Sequence, residues 1–131
     1  MKAEELLAKA FRAAASAKIL LDNQDFEGAC NRAYYAMFDA ARAALLASGA
    51  PVESNIARTH GGLIAAFSLH LVKPGRFPIE LGKALNKAEE LRLIADYKGV
   101  TIEPENAAWV VTQANAFTKA VQETILPENR R

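Results

Sequence analysis

Three short stretches hold the side chains whose types and spacing could do chemistry. The first is "ELRLIADYKG", in which Arg92 falls inside an apolar stripe of Leu81, Ala84, Leu85, Ala88, Leu91 and Ala95. A guanidinium keeps its proton in a protein, so a buried one must be paired. Asp96 lies four residues on, the spacing at which two helical side chains meet, and Glu89 is near on the other side. Two readings stay open on position alone. Arg92 and Asp96 form a half-buried bridge that fixes how the helix packs, or Arg92 lines a polar cleft and holds a phosphate, with Asp96 beside it. If the pair is buried, removing Asp96 costs roughly 3–5 kcal/mol.

The second stretch is "SNIARTHGGL". Thr59 is placed to cap a helix whose first turn then holds His60, Gly61 and Gly62. Backbone N–H groups there favour an anion, the glycines let one approach, and Arg58 and His60 stand beside it. The plainer reading is a capped helix start with an exposed histidine. His70 sits at the edge of the packing stripe Leu63, Ala66, Phe67 and Leu71, which makes His60 the imidazole available for proton transfer. The third stretch is "NRAYYAMFDAAR". Its polar residues Asn31, Arg32, Tyr35, Asp39 and Arg42 share one face of a helix, as a solvated ladder or as the wall of a groove. Arg32 is the second candidate cation after Arg92, with Tyr35 next to it.

The elements that must position these groups read as helices throughout. Alanine is abundant, and alanine is the best helix former. The punctuation predicts helices over about 3–22, 26–48, 59–72, 78–98 and 104–126, by the stops at "DNQD", Gly49 with Pro51, "KPG", Gly99 and Pro127. Residues 1–126 are expected to make one all-α antiparallel bundle, and 127–131 a frayed tail. On the second helix Phe26, Cys30, Ala33, Tyr34, Met37, Ala41 and Leu45 form the core stripe. Ala29, Ala36, Ala40, Ala43 and Ala47 form a stripe of small residues, where a second copy of the chain is expected to pack.

Composition narrows the classes. A chain of 131 residues with net charge +1 is one domain without the basic excess of a general nucleic-acid binder. Cys30 is the single cysteine, so no internal disulfide forms and a reducing cytoplasm is expected. No run approaches a membrane span, and the charged start does not read as a signal peptide. Phosphate-loop, dinucleotide, Cys-x-x-Cys and zinc-protease motifs are absent from the sequence, and one cysteine with two histidines makes no convincing metal set. No cofactor is expected. Any chemistry falls to arginine, histidine and tyrosine acting on phosphate.

"NRAYYAMFDAARAALLASG", followed by "THGGLIAAFSLHLVKPG" and "LRLIADY", resembles the HEPN domains (higher eukaryotes and prokaryotes nucleotide-binding), in the branch of small stand-alone prokaryotic proteins. The likeness covers essentially the whole chain. It implies a helical bundle that dimerises, binds RNA or a nucleotide, and works beside a minimal nucleotidyltransferase in a toxin–antitoxin pair. Many members are metal-independent ribonucleases with an Arg-x(4–6)-His motif at a dimer cleft. By position the motif arginine is Arg92. The motif histidine falls at 97–99, where this chain has Tyr97, Lys98 and Gly99. Tyr97 is a poor base, since a free phenol has a pKa of about 10. The alternative to a ribonuclease is a non-catalytic dimeric interaction module.

Overall fold

The second helix, α2 (Phe26–Ser48), is the axis of the molecule. Asp25 starts it by accepting from the Gly28 N–H at 2.9 Å. Gly49 stops it in the left-handed conformation (φ 71°), which glycine adopts without a side-chain clash. Around it lie α1 (Ala3–Asp22), α3 (His60–Phe67), α4 (Ile79–Ala95) and α5 (Pro104–Asn129). The computed structural model describes residues 2–129 except Ser54, Ile56, Ala57 and Lys98, with side chains described through Ile125. Among the described residues the chain is an all-α bundle of five helices without strands. No described helix is long and apolar enough to cross a membrane.

α2 packs on all four other helices, most extensively on α1 and α5. Burial follows the predicted stripe: Cys30, Ala33, Tyr34, Met37 and Ala41 are fully covered. Phe67 of α3 meets Phe117 of α5 at 5.3 Å and Phe77 at 5.5 Å between ring centroids, which ties the shorter helices to the core.

Several boundaries and faces differ from the sequence expectation. α3 ends at Phe67 and widens into a π-helical turn, Ser68–Val72, with the Lys73 N–H reaching the Ser68 carbonyl at 2.8 Å. α4 stops at Ala95 rather than near 98. The Asp96 N–H bonds the Arg92 carbonyl and the Tyr97 N–H bonds the Ile94 carbonyl, each at 3.1 Å, so the chain tightens and leaves the helical path before Gly99. α5 continues through Pro127 to Asn129 rather than closing near 126. A proline this near a helix end removes one N–H from the last turn instead of breaking an interior ladder. Arg130 and Arg131 lie outside the described residues.

The alanine stripe is a further correction. Ala29, Ala36, Ala40 and Ala43 are completely buried within their own chain, with only Ala47 exposed. The stripe is spent on the bundle's own packing and is not open to a second copy. Ala40→Arg is therefore expected to disturb the fold itself. The polar third face of α2 is not a solvated ladder either: Asp39 is buried, and Asn31, Arg32, Tyr35 and Arg42 are half-buried.

Candidate functional site

The Tyr34 hydroxyl is where the separate candidates meet. Tyr34 belongs to the core stripe of α2 and is fully buried, so its oxygen needs a partner. It finds Nδ1 of His60 at 2.7 Å, across the bundle. His60 is held there because Thr59 caps α3, its hydroxyl accepting from the Gly62 N–H at 3.0 Å. The imidazole is thus the first residue of an anchored helix. It is half-buried, not the exposed histidine of the plainer reading. Its ring lies 5.1 Å from Phe38, 5.5 Å from Tyr34 and 5.8 Å from Tyr35.

Arg92 reaches the same aromatic cluster from α4. Its guanidinium carbon lies 5.1 Å from the centre of the Tyr34 ring and 5.9 Å from that of Tyr35, within cation–π range. Nη1 donates to Oδ2 of Asp96 at 3.1 Å, as the spacing predicts. The pair is lopsided: the Arg92 side chain is 12% exposed and that of Asp96 54%. Asp96 is therefore a solvent-facing end to a largely covered cation. Nε of Arg92 is buried with no hydrogen-bond partner.

The electrostatics follow from this geometry. Burial is the main cause that pushes the Tyr34 phenol well above its ordinary range. The charge of the Glu89 carboxylate adds to the rise, while Arg92 opposes it. Tyr34 stays a neutral hydroxyl at any physiological pH. Cys30 is fully buried, its thiol pushed up to about 11 by desolvation and by Glu27, so it is not a nucleophile.

The other candidates fall elsewhere. Arg32 points about 160° away from Tyr34 around an ideal helix. Its charge acts instead on Asp39, whose carboxyl is raised by burial and pulled back by Lys9, Arg42 and Arg32. Arg42 stands at the edge of the aromatic cluster, 6.0 Å from the Phe38 ring centre, and 3.9 Å from Asp39. Arg58 is exposed in the turn before Thr59. Tyr97 is 71% exposed beyond the end of α4. His70 is half-buried and lines an apolar groove with Val52, Ala66 and Leu69. Of the sequence candidates, the fold brings together Arg92, Asp96, His60 and Tyr35. It adds Tyr34 and Phe38, which sequence reasoning did not name as site residues. Tyr34 carried a signal: a tyrosine on a core stripe has a hydroxyl that must be bonded.

The HEPN domain model matches residues 3–124, from the first helix almost to the end of the fifth. The chain belongs to the HEPN domain family. Among its relatives, a UPF0332 protein of Gloeobacter violaceus is 35% identical, the match covering 92% of this chain and 93% of that one. A UPF0332 protein of Thermotoga maritima is 38% identical over 83% of this chain and 80% of its own. A protein of Methanocaldococcus jannaschii named "Putative toxin" is 31% identical over 84% of this chain and 78% of its own. On this HEPN bundle, Tyr97 and Gly99, within the window where the resemblance places a histidine, lie past the end of α4, and Lys98 lies outside the described residues. The imidazole that stands by the two tyrosines against Arg92 comes from α3.

Proposed function

We propose that this HEPN chain is the toxin-like member of a toxin–antitoxin pair, and that it binds RNA and cleaves it slowly without a metal. The observation that carries the reading is that Arg92 and His60, from different helices, lie against the same two tyrosines. Arg92 faces a non-bridging phosphate oxygen, using N–H donors that Asp96 does not occupy. His60 takes the proton of the 2′-hydroxyl as its oxygen attacks the adjacent phosphorus. The P–O5′ bond breaks, the leaving 5′-oxygen regains a proton from the imidazolium, and a 2′,3′-cyclic phosphate remains. Tyr35 offers a half-buried ring face on which a base can stack. Asp96 and Tyr97 border the solvent side, and Arg58 and Arg32 supply positive charge further along the strand's path.

The chain works as a homodimer beside a nucleotidyltransferase partner. Family membership supports the pairing. The exposed apolar side chains Leu93, Ile94, Tyr97 and Val100, at and beyond the last turn of α4, support a covered face next to Arg92. The same face favours the second reading, a non-catalytic interaction module in which Arg92 and Asp96 serve packing alone.

Binding of a 2′-O-methyl oligoribonucleotide, which cannot be cleaved by this route, separates the two. Arg92→Ala is expected to weaken binding and to reduce the slope of log K against log salt by about 0.7, the value for one phosphate contact on a single strand. An unchanged slope and affinity would place Arg92 outside the RNA path.

A further inference from the structure

Arg92 meets the aromatic cluster at Tyr34 and Tyr35, and Arg42 meets it at Phe38. The guanidinium carbon of Arg42 lies 6.0 Å from the Phe38 ring centre, and that ring lies 5.1 Å from the imidazole of His60. Arg42 is therefore one ring removed from the candidate base. At the roughly 3.4 Å per nucleotide of a stacked strand, the two distances together span no more than about three nucleotides. Around an ideal helix Arg32, Tyr35, Asp39 and Arg42 lie within about 80° of one another, so they share one face of α2. Asp39 does not use up the charge on that face. Nη1 of Arg42 lies 3.9 Å from Oδ1 of Asp39, beyond hydrogen-bond reach, and the Arg42 side chain is 32% exposed. Asp39 is itself buried, and Lys9 of α1 and Arg32 act on the same carboxylate. Three cations against one carboxylate leave an excess of two positive charges there. The whole chain carries only +1, so the excess is local and not part of a broad basic surface.

We infer that Arg42, backed by Arg32 and Lys9, is a second phosphate subsite, and that the substrate is single-stranded RNA lying along this face of α2 with its scissile phosphate at Arg92. The inference rests on the reading of Arg92 and His60 as the cleavage site, and it adds the form of the substrate. A guanidinium suits the task because its fork of N–H donors matches the oxygens of a phosphate. Tyr35 lies between the two cations, its ring 5.9 Å from the Arg92 guanidinium carbon and 6.1 Å from the Phe38 ring. Phe38 is buried, which leaves half-buried Tyr35 as the ring a base can reach. A base that stacks on Tyr35 has to leave its own helical stack, which an unpaired strand does far more readily than a duplex. The local character of the charge excess points the same way, since a duplex presents two phosphate backbones at once.

The test uses the full-length protein and a 2′-O-methyl octaribonucleotide, with binding read by fluorescence anisotropy over a salt series. Arg42→Gln is expected to weaken binding and to lower the slope of log K against log salt by about 0.7, the share of one phosphate on a single strand. Asp39→Asn removes the opposing carboxylate and is expected to bind more tightly than wild type. A pair that serves packing alone would alter melting in both variants and binding in neither. The same sequence closed into a hairpin stem is expected to bind more weakly than the open strand. Circular dichroism checks the fold of each variant, and should Arg42→Gln fail to fold, Asp39→Asn and the hairpin decide the question. An unchanged slope in Arg42→Gln, no gain in Asp39→Asn, or a preference for the hairpin overturns the subsite. Arg92→Ala, measured alongside, keeps the two sites apart. A slope reduced in Arg92→Ala but not in Arg42→Gln retains the cleavage site and refutes the subsite. The reverse retains the subsite and refutes the phosphate contact at Arg92, and a wild type that binds no strand refutes both.

Discussion

Arg92 is held by two contacts of different kinds, and each decides part of its behaviour. The tyrosine rings lie within cation–π distance of its guanidinium, while Asp96 holds Nη1 from the solvent side. A fully buried pair would lose roughly 3–5 kcal/mol on removal of one partner. With Asp96 more than half exposed, water takes over much of its role. Asp96→Ala is therefore expected to cost about 1–2 kcal/mol, between the buried and exposed limits. Thermal or urea unfolding checks this, and a loss of 3 kcal/mol or more would mean a sealed bridge. Asp39 is the opposite case. Burial raises its carboxyl, so the folded chain holds that proton more tightly than the unfolded chain does. Its contribution to stability is full below the ordinary carboxylate pKa of about 3.9 and is lost as pH rises through the raised folded value. Asp39→Asn, which does not titrate, is expected to gain on wild type as pH rises from about 4 toward neutrality. Paired urea midpoints across that range test the sign; a flat difference contradicts it.

The helices show why some of this was legible in the sequence and some was not. The starts of α2 and α3 were readable because a cap is local: Asp25 and Thr59 each bond the N–H three residues on. The Arg92–Asp96 contact was readable because four residues make one helical turn. Tyr34 with His60 was not, because their meeting depends on how α3 lies across α2, and no local pattern fixes that. The fate of the alanine stripe was hidden for the same reason. A run of small residues announces close packing without naming the neighbour. Pro127 misled because its cost depends on how near the helix end lies. The cap on α3 carries a prediction of its own. Thr59→Ala is expected to cost about 1 kcal/mol and to loosen the turn that holds His60. Hydrogen exchange at the first amides of α3 is expected to quicken while α2 stays protected. Equal loss of protection in both helices would mean that α3 has no separate opening.

At the scale of the whole molecule, the bundle brings an imidazole beside the tyrosines that pack on Arg92. Arg92 stands on α4, and the His60 imidazole arrives from the N-terminus of α3 onto the same pair of tyrosines. One domain thereby gathers a guanidinium and an imidazole from elements far apart in sequence. RNA cleavage in EDTA tests this most directly, with wild type, His60→Ala and Arg92→Ala compared after circular dichroism shows all three folded. Wild type is expected to give slow cleavage ending in 2′,3′-cyclic phosphate, and both variants a loss of about 100-fold or more, the lower range for a general base. Cleavage in His60→Ala at close to the wild-type rate would contradict the account, as would the absence of any cleavage by wild type.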